Sequence, residues 1–227
     1  MTNIVYNQDC MEGMKQYPDK YFDLAIVDPP YFKEYGKIIY PGAAISTTGI
    51  KRNRFESKNW EVPNEGYFQE LYRVSKNQII WGINYYERFV NCHGRIIWDK
   101  VNDESGFSKA EIASCSLHNS VQMFRFMWNG MLQGNMKEKE TRIHPTQKPI
   151  ALYKWLLKNY AKSGDKILDT HLGSGSSRIA AYDLEFDFTG FEIDKDYYEA
   201  QEERFKKHIK QIQIQFPKVE VQQANLF

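Results

Sequence analysis

The stretch Lys166-Ile-Leu-Asp-Thr-His-Leu-Gly-Ser-Gly-Ser-Ser177 decides the fold. Its apolar start predicts a buried strand, its glycines predict a tight turn, and its serines predict the start of a helix. Gly173 and Gly175 let the backbone approach a ligand closely. Ser176 and Ser177 are expected to cap the helix, whose free N–H groups favour an anion. The stretch therefore predicts strand, ligand-binding turn and helix in succession.

An acidic residue, Glu192, follows this turn at the end of the next predicted strand. A carboxylate about 20 residues after the first glycine is typical of sites that hold a nucleotide ribose through its hydroxyls. The sequence has no lysine after the second glycine, which excludes a phosphate-binding P-loop. It also lacks the third glycine of the dinucleotide fingerprint, which disfavours NAD and FAD. A glycine-rich turn without a ligand is the alternative.

Short apolar runs alternate with helical patterns along the rest of the chain. This alternation predicts an α/β protein with a mostly parallel sheet. The predicted strands are 4–6, 23–27, 78–81, 95–98, 166–168 and 186–191, with 111–116 and 121–127 expected to form an antiparallel hairpin at one edge. The predicted helices are 10–16, 64–75, 149–160, 176–184 and 196–212.

No linker divides the chain, so residues 1–227 are predicted to form a single domain. Residues 32–62 lack a clear period and are predicted to be a loop insertion, since loops this long are usually functional. This insertion is a candidate lid or small target-recognition region. It is also basic, and a solvated surface loop is the alternative to a nucleic-acid contact. The candidate contacts are Lys33, Lys51, Arg52, Arg54 and Lys58.

The composition excludes several classes of protein. Thirty basic and 29 acidic residues give a net charge of +1, so a nucleic-acid partner would need a local basic patch. The three cysteines form no CxxC pair, and we expect neither a disulfide framework nor a metal site. The apolar runs are too short for a membrane span, and the N-terminus lacks the pattern of a signal peptide. A cytoplasmic location is therefore expected.

The most informative stretch is Asp23-Leu-Ala-Ile-Val-Asp-Pro-Pro-Tyr31, a buried strand stopped by two prolines. Sites in open α/β sheets lie outside the carboxyl ends of the strands, where Asp28 is placed. The Asp28 carboxylate and the Pro29 carbonyl are acceptors, and Tyr31 adds a flat face. A proline turn with an Asx-type cap is the alternative.

Two acceptors beside an aromatic plate suit the planar amino group of a heterocycle. The exocyclic amine of adenine is a poor nucleophile because its lone pair is delocalised into the ring. Accepting both of its hydrogens would draw the nitrogen toward tetrahedral geometry and localise that lone pair. The stabilisation would be larger in the transition state than in the ground state, as catalysis requires.

Three motifs together resemble those of the amino-group DNA methyltransferases. They are Asp28-Pro29-Pro30-Tyr31, His144-Pro145-Thr146-Gln147-Lys148-Pro149 and Asp169-Thr-His-Leu-Gly-Ser-Gly-Ser176. Because the Asp-Pro-Pro-Tyr motif comes first, the order is similar to that of the beta, circularly permuted, group. The resemblance implies the Rossmann-like methyltransferase fold, S-adenosyl-L-methionine as methyl donor, and double-stranded DNA as substrate.

The resemblance also assigns roles to residues. It implies that Asp28, Pro29, Pro30 and Tyr31 are catalytic and that the target base is flipped out of the duplex before in-line transfer. The residues that it assigns to the cofactor are Asp9, Cys10, Asp28, His144, Thr146, Gln147, Lys148, Asp169, Gly173, Ser174, Gly175, Ser176, Ser177 and Glu192. A homodimer and a partner restriction endonuclease, in a bacterial or phage setting, are compatible with it.

The sequence departs from the family at one position of the glycine loop. Family members usually carry Asp-Pro-Phe where this chain carries Asp169-Thr170-His171. Adenine-N6 methylation is the first hypothesis, because family members that act on cytosine more often carry Ser in place of Asp28. Cytosine-N4 methylation, an RNA or nucleotide substrate, and a catalytically idle DNA-binding subunit of a restriction-modification complex remain as alternatives.

Overall fold

The fold is that of a computed structural model, which describes residues 1–32, 60–103, 106, 108–129 and 132–215. The ten strands in these ranges are β1 Asn3–Tyr6, β2 Phe22–Val27, β3 Ser75–Trp81, β4 Gly94–Asp99, β5 Ala110–Cys115, β6 Val121–Arg125, β7 Trp128–Asn129, β8 Leu132–Gln133, β9 Lys166–Asp169 and β10 Asp187–Phe191. The helices are α1 Cys10–Met14, α2 Glu65–Val74, α3 Ile83–Tyr86, α4 Ile150–Tyr160, α5 Ser176–Asp183 and α6 Lys195–Gln215, with a 3₁₀ turn at Glu87–Phe89.

Eight of the strands form one sheet in the order β1-β10-β9-β2-β3-β5-β4-β6. The first five run parallel, β5 runs antiparallel to both of its neighbours, and β6 is parallel to β4. Strands β7 and β8 form a separate antiparallel pair. The predicted fold class, a mostly parallel α/β sheet with an antiparallel hairpin near one edge, is confirmed.

Strand β2 shows why the sheet is covered on both faces. Its residues alternate, so Leu24 and Ile26 join a core that includes side chains of α4 and α5. Ala25 and Val27 point the other way, into a core built with α1 and α2. A strand that is apolar at every position is typical of a parallel sheet between two helical layers. The long helix α6 packs on α5 through an edge-to-face contact of the Tyr182 and Phe205 rings.

The predicted hairpin partners were wrong. Residues 111–116 do not pair with 121–127, because β4 lies between β5 and β6. The connection from β5 crosses the start of β4, where Arg95 N–H donates to Ser120 C=O. Gly94 permits this crossing, since a Cβ there would lie 2.2 Å from the His118 carbonyl oxygen. The antiparallel hairpin is formed by β4 and β5 instead.

Two helix starts differ from the prediction. Pro149 is the N-cap of α4 rather than its first helical residue, because its ψ of 147° is extended. Gly175, with φ 72°, is the N-cap of α5, so Ser176 and Ser177 begin the helix and do not cap it. None of the helices within the described ranges is long and apolar enough to cross a membrane.

Candidate active site

The sheet places the two main motifs side by side. Strands β9 and β2 are neighbours, but the chain continues from β9 to β10 on one side and from β2 to β3 on the other. This reversal opens a crevice at the carboxyl ends of the two strands, the usual binding place in open α/β sheets. Asp169 ends β9 and Asp28 follows β2, so both acids lie at that crevice.

The Asp28 carboxylate receives two donors from different parts of the chain. Tyr31 Oη donates to Asp28 Oδ1 at 2.5 Å. The Lys148 ammonium donates to Asp28 Oδ2 and forms an ion pair with it. Burial raises the pKa of the Asp28 carboxyl, and Lys148 opposes that rise. Because an ionised carboxylate is an acceptor for both donors, this arrangement suits the charged form.

Lys148 lies between two carboxylates. Its side chain is 3 % exposed, and Nζ lies 2.9 Å from Glu111 Oε2 as well as against Asp28. Glu111 comes from β5, and its other oxygen lies 2.5 Å from Lys100 Nζ. Although burial lowers it, the two carboxylates raise the pKa of Lys148 above its ordinary value. Burial alone would raise the pKa of Glu111, but Lys148 and Lys100 bring it to about 2.

The prolines and tyrosines after Asp28 form a compact turn. Tyr86 Oη donates to the Pro30 carbonyl and lies 3.4 Å from the Pro29 carbonyl oxygen. The Tyr31 ring stacks on Tyr85, with centroids 4.9 Å apart and planes at 12°. The stacked pair therefore lies beside the acid, which Tyr31 contacts directly. Tyr85 is 46 % exposed, which leaves this aromatic pair accessible from solvent.

Gly82 lies directly against the Tyr31 ring of this aromatic pair. Gly82 has φ 73°, and a Cβ there would lie 2.1 Å from the Tyr31 ring. The position therefore needs glycine for its backbone conformation and for the close approach of Tyr31.

The glycine loop is built around Asp169 and Glu192. Asp169 accepts from Ser177 Oγ at 2.5 Å and from His171 N–H at 3.0 Å. Glu192 accepts from Gly173 N–H at 2.7 Å, which ties the loop to the end of β10. Burial raises the pKa of Asp169 to about 7, although the two donors oppose the rise. The loop thus presents two buried carboxylates at the crevice.

Thr170 and His171, which differ from the motif that the glycine loop resembles, form part of a polar network. Tyr67 Oη lies 2.6 Å from Thr170 Oγ1, which lies 2.9 Å from His171 Nδ1. Burial lowers the pKa of His171 to about 4, against the opposing effect of Asp9. His171 is therefore neutral at physiological pH. Its ring meets Tyr67 edge to face.

Asp9 and Cys10, which the resemblance assigns to the cofactor, lie at the start of α1. Asp9 is its N-cap, and its carboxylate accepts from Met11 N–H at 2.6 Å. Cys10 follows, and burial, with smaller effects of Asp9 and Glu192, raises its pKa to about 12. Asp9 and Cys10 are thus brought to the side of the crevice where Glu192 lies.

The middle motif divides its residues between the glycine loop and the acid. His144 stacks on Trp60 at 5.4 Å, and a Cβ at Gly173 would lie 3.5 Å from its ring. Thr146 Oγ1 lies 3.1 Å from His144 Nδ1. Lys148 points instead to Asp28. His144 and Thr146 therefore adjoin the glycine loop, whereas Lys148 joins the catalytic motif.

The remaining members of the predicted cofactor set are largely engaged within the protein. Gln147 accepts from Ile143 N–H at 2.9 Å. Ser174 Oγ and Ser176 Oγ lie 3.1 Å apart. Arg204 of α6 donates to the Ser174 carbonyl at 2.7 Å. These contacts hold the shape of the loop, and whether the same residues contact a cofactor stays a prediction.

Arg204 also links the glycine loop to Glu140, which lies in the segment before α4. In addition to the loop, it donates to Glu140 Oε2 at 2.6 Å, and Glu140 Oε1 accepts from the first N–H of α4.

The sequence analysis missed Glu111, Trp60, Tyr67, Lys100 and Arg204. They lie outside the three motifs, and the long-range contacts that bring them to the site leave no local pattern. The predicted nucleic-acid contacts Lys33, Lys51, Arg52, Arg54 and Lys58 lie outside the described residues, as does most of the predicted insertion 32–62.

Comparison with known proteins agrees with this geometry. Residues 99–203 match a family model described as DNA methylase. The type II methyltransferase M.HinfI of Haemophilus influenzae is 24 % identical over 90 % of this chain and 68 % of its own length.

Two solved structures share the fold. The M1.HpyAVI–SAM complex is 18 % identical, has a TM-score of 0.54, and matches over 88 % of this chain and 98 % of its own. The cytosine-N4-specific PvuII DNA methyltransferase is 12 % identical, has a TM-score of 0.58, and matches over 93 % of both chains. Sequence and fold together confirm what the motifs predict: this chain is related to the amino-group DNA methyltransferases.

Proposed function

We propose that this protein transfers a methyl group from S-adenosyl-L-methionine to the exocyclic amine of a base at specific sites in double-stranded DNA. The observation that carries this proposal is the pairing, at one crevice, of an acid held by Lys148 on a proline turn with a glycine loop that lies beside two buried carboxylates. The family match and the M.HinfI relative support the same activity.

The residues around the glycine loop fit this cofactor chemically. Asp169 is suited to the positive charge of an amino-acid ammonium, and Glu192 is suited to ribose hydroxyls. Gly173 and Gly175 keep the loop free of side chains, while His144 and Thr146 flank it. When bound, S-adenosyl-L-methionine supplies an electrophilic methyl group on a sulfonium.

Asp28 acts in this proposal as an acceptor held in the charged state. Lys148 and Tyr31 fix the orientation of its carboxylate, so little reorganisation is needed when an amine hydrogen bonds to it. The nearby ammonium opposes the rise that burial causes in the pKa of Asp28, and so favours its carboxylate form. Proton transfer to Asp28 therefore follows methylation, when the amine nitrogen has become strongly acidic. The Pro29 carbonyl, which has a second lone pair beside its long contact to Tyr86, is the second acceptor.

The base must leave the duplex to reach this crevice. Tyr31 and Tyr85 offer the stacking surface for it, and Tyr85 is the more exposed of the two. We place the DNA contacts on the basic segment that contains Lys51, Arg52, Arg54 and Lys58. A homodimer and a restriction endonuclease partner remain predictions of the resemblance.

We propose N6 of adenine as the acceptor, because the motif begins with Asp28. Cytosine N4 is the second candidate, since a cytosine-N4-specific enzyme shares the fold. The two amines pose the same chemical problem to the acid and the carbonyl. The contacts of Asp28 and Pro29 therefore suit either base, and the choice of adenine rests on the Asp-Pro-Pro-Tyr motif.

The experiment is a methyl-transfer assay with labelled S-adenosyl-L-methionine and unmethylated DNA of mixed sequence, followed by digestion to nucleosides and mass spectrometry. Labelled N6-methyladenine is the expected product, and N4-methylcytosine would overturn the choice of base. Asp28→Ala is expected to abolish transfer while calorimetry shows that S-adenosyl-L-methionine still binds. Wild-type activity in that variant would refute the proposed role of Asp28, and no label in DNA from the wild type would refute the function.

A further inference from the structure

We propose that Glu111, on the antiparallel strand β5, is a positioning residue for methyl transfer that acts on the catalytic acid Asp28 through the Lys148 ammonium. The inference rests on the proposed function and adds to it a residue outside the three motifs. Its basis is a row of alternating charges, Asp28, Lys148, Glu111 and Lys100, in which each neighbouring pair is in contact.

The placement of Lys148 depends on both carboxylates. The buried Lys148 ammonium donates a hydrogen bond to Asp28 and forms ion pairs with both Asp28 and Glu111. The centre of the Trp81 ring lies 5.5 Å from Lys148 Nζ. Without Glu111, the attraction of Lys148 would fall on Asp28 alone. Glu111 therefore limits how strongly Lys148 holds the acid that must bind the target amine.

The strand pairing makes this arrangement rigid. Glu111 lies opposite Trp98 in the pairing of β5 with β4, and Gly82 N–H donates to the neighbouring Ile112 carbonyl at 2.9 Å. Lys100 follows β4 directly and contacts the second oxygen of Glu111. A carboxylate placed by a sheet, with an ammonium close to each of its oxygens, is suited to positioning another side chain.

The charges also predict a distinctive pH signature. Glu111 raises the pKa of Asp28 and Lys148 lowers it, so the two act in opposite directions. Among the described residues, the other titratable groups that interact with Asp28 include Tyr31, Tyr86 of α3, Tyr153 of α4 and Asp169 of β9, and all of them are retained in the variants. A purely structural role of Glu111 would not shift the pH dependence in this way.

The test measures kcat for methyl transfer against pH, with S-adenosyl-L-methionine and DNA saturating. Glu111→Gln is expected to lower kcat by roughly tenfold to a hundredfold, because small displacements of reacting groups have effects of that size. The acidic limb of the kcat profile of Glu111→Gln should move to lower pH. The affinity of this variant for S-adenosyl-L-methionine should be unchanged. Lys148→Met should move the limb to higher pH, each shift being about one unit.

Two further variants complete the design. Glu203→Gln, at an exposed carboxylate of α6, is the matched control and should leave the profile unchanged. If Glu111→Gln does not fold, as judged by circular dichroism, Glu111→Asp takes its place, with lowered kcat and an unshifted limb because the charge is kept. A wild type without methyl transfer refutes the proposed function. An active wild type whose Glu111 variants retain full kcat, or whose Glu111→Gln limb does not move, refutes this inference alone.

Discussion

Replacing Lys148 by methionine leaves the carboxylates of Asp28 and Glu111 near each other without the ammonium between them. Removing one partner of a buried ion pair typically destabilises a protein by about 3–5 kcal/mol. The two carboxylate side chains are 14 % and 22 % exposed, so the lower end applies and we expect about 3 kcal/mol. For a chain of this length that loss corresponds to a fall in Tm of roughly 6–12 °C.

The pH dependence distinguishes this electrostatic cause from a loss of packing. Without Lys148, burial and the Glu111 charge raise the pKa of Asp28 above its unfolded-state value, whereas Lys100 still opposes the effect of burial at Glu111. The folded variant then binds more protons than the unfolded chain, so its stability increases as the pH falls from 7 toward about 4. The difference in stability between the wild type and the variant should therefore narrow over that range.

The assay is urea unfolding of wild type and Lys148→Met at several pH values, followed by circular dichroism. Glu111→Gln combined with Lys148→Met should recover part of the loss at pH 7, since one of the two repelling charges is gone. Lys206→Met, in an exposed pair on α6, is the control and should show no measurable change. A destabilisation of Lys148→Met that is the same at every pH would contradict the electrostatic reasoning.

Three further predictions concern the cofactor and DNA. Because burial raises the pKa of Asp169 to about 7 and a bound ammonium needs its charged form, affinity for S-adenosyl-L-methionine should rise between pH 6 and 8; a flat calorimetric profile would exclude this. Gly175→Ala should lose cofactor affinity and roughly 1–2 kcal/mol of stability, since its φ is 72° and its Cβ would lie 3.1 Å from Gln201. Gly164→Ala, at φ 88° in open space, should show the same strain without the binding defect, and equal calorimetric affinities would contradict the assignment. If the basic segment 51–58 and its neighbours neutralise about six phosphates, DNA affinity should fall with a log–log salt slope near −5, and a slope near zero in fluorescence titrations would refute the contact.

Local patterns were sufficient to predict most of the elements that build the site. The alternation of apolar runs with helical patterns predicted nearly all strands of the large sheet, and the prolines after Asp28 marked the end of β2. The glycine spacing predicted the turn before α5 and the position of Glu192 after β10. These features are local because strand ends, turns and caps depend on residues close in sequence.

The parts that failed depend on distant contacts. The pairing of β6 with β4 is decided by a chain crossing beside Gly94, which no period in residues 111–127 reveals. The capping role of Ser177 was wrong because its hydroxyl donates to Asp169 instead. The assignment of Lys148 to the cofactor stays a prediction, but its contact with Asp28, 120 residues away, left no local pattern in the sequence.

The pairing of β2 with β9 has a consequence for how the protein is made. It joins Leu24 to Ile167 and Ala25 to Leu168. The middle of the sheet therefore forms only when two segments far apart in the sequence meet. Such a high contact order predicts slow folding. During translation, β2 has no partner on that side until residue 169 has left the ribosome. The acid and the glycine loop therefore become a site in the same late event, and a nascent chain that stops short of β9 should have neither activity nor cofactor affinity.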